Sequence, residues 1–556
     1  MRTIEGRLNA WRLVTGVVIL VIAVPALAGT DSDWTLTGNA GTTPGTNFVG
    51  TTDNKALELR VNGARALKLV PNATSPSVVG GYSGNTLGGG AYGATISGGG
   101  YSGWVNSVSG IYGTVGGGAG NTASGQQSTI AGGYRNTASA ERAAIAGGLL
   151  NTVSGVAGTV GGGRNNEVAA EYGTIAGGGP TDVGDPATRN RVTDKWGTIG
   201  GGGQNVAGSE DGTPTNAVGA TVAGGLANSA TRHYATVSGG VSNSASEELA
   251  TVGGGRLNMS EGAFATIGGG CSNRAIGQYA TVSGGGPDLD DGNFGFNTNN
   301  MAMDDYCTVG GGYFNRSGHS DVSTTTAPYA TIAGGRENEA SGDSATVGGG
   351  YSNQASGMCA TVPGGDDCTA SGDYSFAAGH HAGVTGNGSF LWCDASMDNW
   401  LSVYASNKFV ARAAGGVTFY TSAALSSGVK VGAGGNAWET VCDRDMKENF
   451  QAVNAADVLD KVATMPLSTW NYKSEGTTIR HMGPVAQDMH AAFGLGNSDK
   501  TIVTIDADGV ALASIQGLYG QDRQQTSEIK ALKEQVRDLT AQVETLKALV
   551  KRSTAQ

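Results

Sequence analysis

The sequence predicts a mainly β fold: a parallel β-solenoid of fifteen-residue coils, then a small α+β domain and a terminal coiled coil. Three observations carry this expectation. Aliphatic residues recur at a fixed interval through the middle of the chain, an asparagine recurs in step with them, and a heptad pattern closes the C-terminus.

The aliphatic position follows a threonine or its substitute. It falls at Ile96, Val115, Ile130, Ile145, Val160, Ile175, Ile199, Val222, Val237, Val252, Ile267, Val282, Val309, Ile332, Val347 and Val362, and ends at Ala377. Eleven of the sixteen intervals are fifteen residues, so the others read as insertions into one period. A fixed period of this length marks a solenoid, in which each unit buries its apolar side only against its neighbours. Within "ATVGG" the alternation has the strand period of two, which sends threonine and valine to opposite faces. The glycines permit the tight corner that follows.

Six residues after the aliphatic position stands an asparagine, from Asn121, Asn136 and Asn151 through to Asn338 and Asn353. Stacked asparagines can bond amide to amide along the axis and so satisfy polar groups that turn inward. Seventeen coils, each advancing about 4.8 Å, make a rod roughly 80 Å long. The inward side chains are small and a single rod has a thin core, so lateral association into a homotrimer is expected. Insertions of 9, 8, 12 and 8 residues follow Ile175, Ile199, Val282 and Val309. Placed between the asparagine and the next strand, all four are expected at one corner, where loops on a rigid scaffold form a binding surface.

Composition narrows the alternatives. With 96 glycines but only 12 prolines the chain is not collagen, and a net charge of -12 argues against nucleic-acid binding. Arg2, Arg7 and Arg12 precede an apolar run to Leu27 that ends in Ala26–Ala28, the order of an export signal cleaved between Ala28 and Gly29. The mature chain is therefore expected outside the cytoplasm, secreted or at the cell surface. Six cysteines (271, 307, 359, 368, 393 and 442) are compatible with disulfides there, with pairings the sequence leaves open. None has zinc spacing, and no metal or cofactor is expected.

Other local motifs dissolve. "GGGYSG" from Gly98 is a solenoid corner rather than a dinucleotide loop, and "DLDDG" (Asp288 to Gly292) is an incomplete calcium loop, read as a solvated turn. His380 and His381 have no carboxylate or cysteine partner at ligand spacing.

The repeats resemble the heads of YadA-like trimeric adhesins, whose unit is SxAxG. "SFAAG" matches through Ser375, Ala377 and Gly379, and "ATVGG" does so through Ala250, Val252 and Gly254. The likeness covers Ile96 to Gly379 and implies a left-handed parallel β-roll in a homotrimeric fibre. That family's commonest repeat is one residue shorter.

Before the roll, "ALELRVNGARALKLVPN" reads as a hairpin about Asn62–Gly63. After it, "NKFVARAAGGVTFYT" repeats the style, and Trp392 and Trp400 are expected to cap the open end. From Ile529 the apolar spacing 3, 4, 3, 4, 3, 4 through Leu532, Val536, Leu539, Val543, Leu546 and Val550 is a coiled-coil seam. The expected organisation is a signal at 1–28, a β shaft at 29–90, the roll at 91–385, a β neck at 386–441, an α+β domain at 442–525 and the coil at 526–552.

Between neck and coil, the opening "CDRDMK", the strand "PLSTWNYK", "RHMGPVAQD" and the terminal heptads occur in order. This order resembles the C-terminal intramolecular chaperone domain of endosialidase tail spikes and related phage fibres, a self-cleaving peptidase family. The resemblance implies a domain that trimerises the fibre and then cuts itself off: a serine attacks the bond on its N-terminal side and a lysine five residues on assists. Here Lys447 takes the lysine position and Asp443 a supporting one. Cys442 stands where the family has serine, which makes Val441–Cys442 the bond at issue. A thiol titrates near 8.5, lowered by a nearby cation, so the replacement is compatible with cleavage. On a straight helix positions i and i+5 lie about 140° apart, so a turn must bring Cys442 and Lys447 together.

The expected function is an exported, homotrimeric, fibre-like protein whose loops meet a surface glycan or other cell-surface ligand. A polysaccharide-degrading enzyme is the alternative, needing two carboxylates roughly 5–10 Å apart. An ice-binding solenoid is a third, though each coil offers one outward threonine.

Overall fold

The computed structural model describes residues 34–182, 184–287, 299–320 and 323–555. The export signal, the Ala28–Gly29 bond and "DLDDG" lie outside these residues. The chain forms two compact units, Met1–Gly415 and Gly416–Gln556.

The first unit is a parallel β-solenoid of about 21 turns. Each coil contributes two short strands rather than the single one that the aliphatic repeat marks. Thr129–Ile130 stacks on Ala144–Ile145 in one sheet, and Thr137–Ala138 stacks on Thr152–Val153 in the other. Ile130 and Ala138 are fully buried between the sheets, while the threonines point outward. The second strand escapes the periodic reading because its inward residue is usually alanine and its partner polar, a weak apolar signal. The buried core is this file of Val, Ile and Ala, as thin as their sizes require.

The asparagine ladder does more than link amides. Asn151 accepts the backbone N–H of Asn166 at Oδ1 (3.0 Å), and its Nδ2 donates to the carbonyls of Gly147 and Gly163 (both 3.0 Å). One side chain thus satisfies its own corner and the next coil's. The corner glycine is obligatory: Gly148 has φ +91°, and a Cβ there would stand 2.1 Å from the carbonyl oxygen of Gly163. The ladder ends at Cys368, whose backbone N–H bonds Asn353 Oδ1 (3.0 Å) and whose thiol donates to the Gly379 carbonyl (3.3 Å).

The ladder also relocates the insertions. Asn190 and Asn300 are ladder members, bonded to Asn166 and Asn273 (3.0 and 3.2 Å), and each stands nine residues before the next aliphatic position. The insertions after Ile175 and Val282 therefore precede the asparagine, while those after Ile199 and Val309 follow Asn205 and Asn315. The expectation of a single corner is wrong: the four insertions leave from two. Counting back from the following coil, rather than forward, would have shown it.

Each eight-residue insertion is tied to the coil before it by a buried aspartate four residues after the ladder asparagine. Asp194 accepts the N–H groups of Ser209 (2.6 Å), Asn216 (3.0 Å) and Ala217 (3.1 Å). Asp304 accepts those of His319 (2.9 Å) and Ala327 (2.7 Å). Other coils carry glycine or alanine at this place, as at Gly155 and Ala170, or an outward charged residue, as at Arg232 and Glu247.

At both ends the parallel stacking runs past the recognisable repeat. The hairpin forms as expected, with Asn62 and Gly63 at φ +50° and +74°. Its second strand pairs with Ser77–Gly80, whose Val78 and Val79 already stack in parallel on Thr95 and Ile96. At the other end Phe376–His380, Phe390–Cys393 and Phe409–Arg412 are successive rungs, with Phe376, Phe390 and Phe409 stacked 4.6 and 4.7 Å apart. So "NKFVARAAGGVTFYT" is not a hairpin: its first half is the last rung, and Gly416–Tyr420 begins the second unit. Nor does Trp392 cap the end, since it lies within a rung. Arg412 ties the terminal rung instead, donating to the carbonyls of Asp394 (2.7 Å) and Asn399 (2.9 Å). Trp400 stacks on His381 at 5.6 Å. His380 and His381 each meet a carboxylate of the preceding coil, Asp366 and Asp367, both at 3.6 Å, a proximity that spacing within one coil does not show.

The second unit opens with a three-stranded antiparallel sheet of Gly416–Tyr420, Gly428–Gly432 and Glu439–Thr440. Helix α1 (Ala455–Thr464) is capped by Asn454. The strands Ser468–Trp470 and His481–Gly483 pair antiparallel, with His481 bonded to Glu475 (2.9 Å). Helix α2 (Ala486–Phe493), in "PVAQDM", was not anticipated. Helix α3 is one continuous helix, Thr504–Ser553, which takes in both "DGVALASIQGLY" and the terminal heptads. It crosses α1 where Gly517 meets the Ala455 carbonyl.

Candidate functional site

The local fold around Cys442 follows from one turn. Asp443 accepts the N–H of Asp445 at Oδ1 (3.0 Å), capping a 3-10 turn over Arg444–Met446. This is the side-chain cap that aspartate supplies at the start of helical turns. The Lys447 N–H closes the turn on the Arg444 carbonyl (3.1 Å), after which the chain is extended. Arg444 lies over the Phe450 ring at 5.1 Å.

The turn reverses the chain enough for Lys447 Nζ to donate to Cys442 Sγ at 2.8 Å. Cys442 and Lys447, five residues apart, are thus brought into contact, and Asp443 shapes the turn that joins them rather than touching the sulfur. Both side chains are exposed. On the N-terminal side, Glu439–Thr440 pairs with Val429–Lys430, and the Val441 N–H reaches the Gly428 carbonyl at 3.5 Å. The Val441–Cys442 peptide therefore sits where an ordered sheet gives way to an exposed stretch, with one 3-10 turn, that runs to residue 454.

The other cysteines are chemically different, and all six are free thiols. Cys307, Cys368 and Cys393 are buried, and that burial pushes their thiols above the ordinary value. Cys307 occupies an inward place usually held by alanine, as at Ala330, and Cys368 ends the ladder, so both have structural duties. A thiol is a nucleophile as its thiolate, which apolar burial disfavours and a neighbouring cation favours. Cys442 is the one with a lysine ammonium on its sulfur.

The insertion loops belong to the first unit, and no helix of the described residues is long and apolar enough to cross a membrane.

No curated protein matches the sequence. Residues 442–494, which start at Cys442 and include Lys447, α1, the strand pair and α2, match the family model described as chaperone of endosialidase. After a parallel β-solenoid and a three-stranded sheet, this chain carries a C-terminal chaperone-of-endosialidase segment, the organisation of a tail-fibre-like protein.

Proposed function

We propose that the protein is an exported homotrimeric fibre assembled by its C-terminal segment, which then cuts the Val441–Cys442 bond. The observation that carries the cleavage reading is the 2.8 Å contact between Lys447 Nζ and Cys442 Sγ. The sulfur attacks the Val441 carbonyl carbon through a five-membered ring that the covalent chain itself closes. Lys447 meets the negative charge on sulfur and passes a proton to the departing Cys442 nitrogen, the role of a positioned acid in acyl transfer. Water then releases Val441 as a carboxylate and restores the thiol. The reaction is a single turnover.

Assembly is supported by the seam of α3, where Ile529, Leu532, Val536, Leu539, Val543, Leu546 and Val550 stand between 45% and 60% exposed. A seven-position apolar stripe on a 50-residue helix needs partner helices to cover it. An isolated parallel coil of this a/d composition favours dimers. The thin solenoid core and the trimerising association of the chaperone family favour three. The insertion loops at two corners, of which those after Ile199 and Val309 are stiffened by Asp194 and Asp304, are the surfaces offered to a glycan or other cell-surface ligand.

Expression of residues 29–556 tests this on denaturing gels and by intact mass. A fragment of 115 residues beginning at Cys442, absent in Lys447→Ala, is the expected result. An uncut wild-type chain would refute cleavage, and a monomer in solution would refute the assembly role.

A further inference from the structure

Thiol chemistry at this position has a consequence that a hydroxyl would not share. Attack by Cys442 moves the Val441 acyl group from nitrogen to sulfur: the C–N bond breaks, the C–S bond forms, and the nitrogen leaves as the free α-amine of Cys442. The product is a thioester, more reactive toward amines and thiols than an oxygen ester and slower to return to an amide once the new amine moves away.

The two sides of the bond are held very differently. Val441 continues from the strand Glu439–Thr440, which is paired to Val429–Lys430. Residues 442 to 453 are all exposed, and their local order is the single 3-10 turn. The amine released at Cys442 is therefore on the loosely held side. An α-amine titrates near 7.7–8.0, so at neutral pH it is largely protonated and slow to attack back. The sulfur itself is exposed, so the acyl group is open to nucleophiles from solution.

We infer that the first 441 residues pass through a thioester on Cys442 and that this acyl group is transferable to small nitrogen and sulfur nucleophiles, so that the segment is an acyl donor as well as a cutting site. The inference rests on the self-cleavage reading. With an amine acceptor, the nitrogen bonds to the Val441 carbonyl carbon, the C–S bond breaks, and the amine proton returns to the sulfur. With a thiol acceptor, a new thioester forms and Cys442 is released as a thiol. Water is the default acceptor and gives plain hydrolysis.

The test uses residues 29–556 at neutral pH, in buffer alone, with hydroxylamine and with 2-mercaptoethanesulfonate. Intact mass reads the new C-terminus at Val441. The expected results are a Val441 hydroxamate and a Val441 mercaptoethanesulfonate thioester, with the cut formed severalfold faster than in buffer. Cys442→Ser, checked for unchanged oligomeric state by light scattering, should give neither adduct. A cut in which Val441 carries only a free carboxylate under all three conditions overturns the thioester and leaves self-cleavage standing. No cut in any condition overturns both, and a cut seen only with the nucleophiles supports the thioester while showing water to be a poor acceptor.

Discussion

Lys447 places its ammonium 2.8 Å from the sulfur of Cys442 across a turn that Asp443 caps. Because the charge that develops on sulfur is met by a cation, alkylation of Cys442 should be fast for an exposed thiol. Iodoacetamide at neutral pH is expected to modify Cys442 and exposed Cys359 while sparing Cys307, Cys368 and Cys393, whose thiols burial raises. In Lys447→Met the rate at Cys442 should fall severalfold with Cys359 unchanged. Peptide mapping by mass checks this, and equal rates at Cys442 with and without the lysine would remove the basis for an activated sulfur.

The asparagine ladder should be costly to interrupt. Asn151→Ala leaves the Asn166 N–H and the Gly147 carbonyl without their partner inside the roll, and leaves the Gly163 carbonyl with the Leu149 N–H alone. Each buried unsatisfied group costs about 1–3 kcal/mol. A destabilisation of at least about 2 kcal/mol is expected, felt locally because solenoid coils touch only their neighbours. Hydrogen exchange should accelerate in the coils around residues 136 to 166 and remain normal in coils far along the rod.

Asp194→Ala should loosen one insertion without unfolding the roll. It strips the acceptor from Ser209, Asn216 and Ala217. Charge-assisted bonds of this kind contribute roughly 1.5–3 kcal/mol each. Limited proteolysis should cut between residues 209 and 217 in the variant and not in the wild type. Retained resistance would show that the loop is held by its own turns.

Two glycines of α3 make a matched pair. A Cβ on Gly517 would lie 2.3 Å from the Ala455 carbonyl oxygen, whereas one on Gly520 would meet nothing within 4 Å. Gly517→Ala should destabilise the α1–α3 packing by about 1–3 kcal/mol. Gly520→Ala should raise stability by up to about 1 kcal/mol through helix propensity. Thermal melts followed by circular dichroism at the helix band decide it, and equal shifts for the two would refute the close crossing.

The exposed seam predicts an oligomer. Val543→Asp puts a charge in the stripe whose residues are covered only if helices associate. Light scattering should report a trimer for the wild type and a smaller species for the variant. A wild-type monomer would leave the seam without a partner of its own kind.

How much of this was legible beforehand depends on the range of the interaction. Period, strand alternation and heptads are set by residues within one coil or one helical turn, so Ile130, Asn136 and the Ile529–Val550 stripe could be read directly from spacing. Asn190 and Asn300 could not be read by counting forward, because an insertion separates them from their own coil's Ile175 or Val282; counting back from the next coil, or the hydrogen bonds to Asn166 and Asn273, identifies them. The second strand of each coil was hidden because Thr137–Ala138 is apolar only on its small inward side.

The sequence by itself determined the solenoid, the heptads and the pairing in principle of a cysteine with a lysine five residues on. The tertiary structure decided that two corners carry the insertions, that buried Asp194 and Asp304 brace the two eight-residue ones, and that one 3-10 turn closes Cys442 onto Lys447. The physical reason is common to all three. Stacking brings residues from successive coils, roughly 15 or more positions apart, within one hydrogen bond of each other, and a cap such as Asp443 turns spacing into contact only once the backbone has chosen its path.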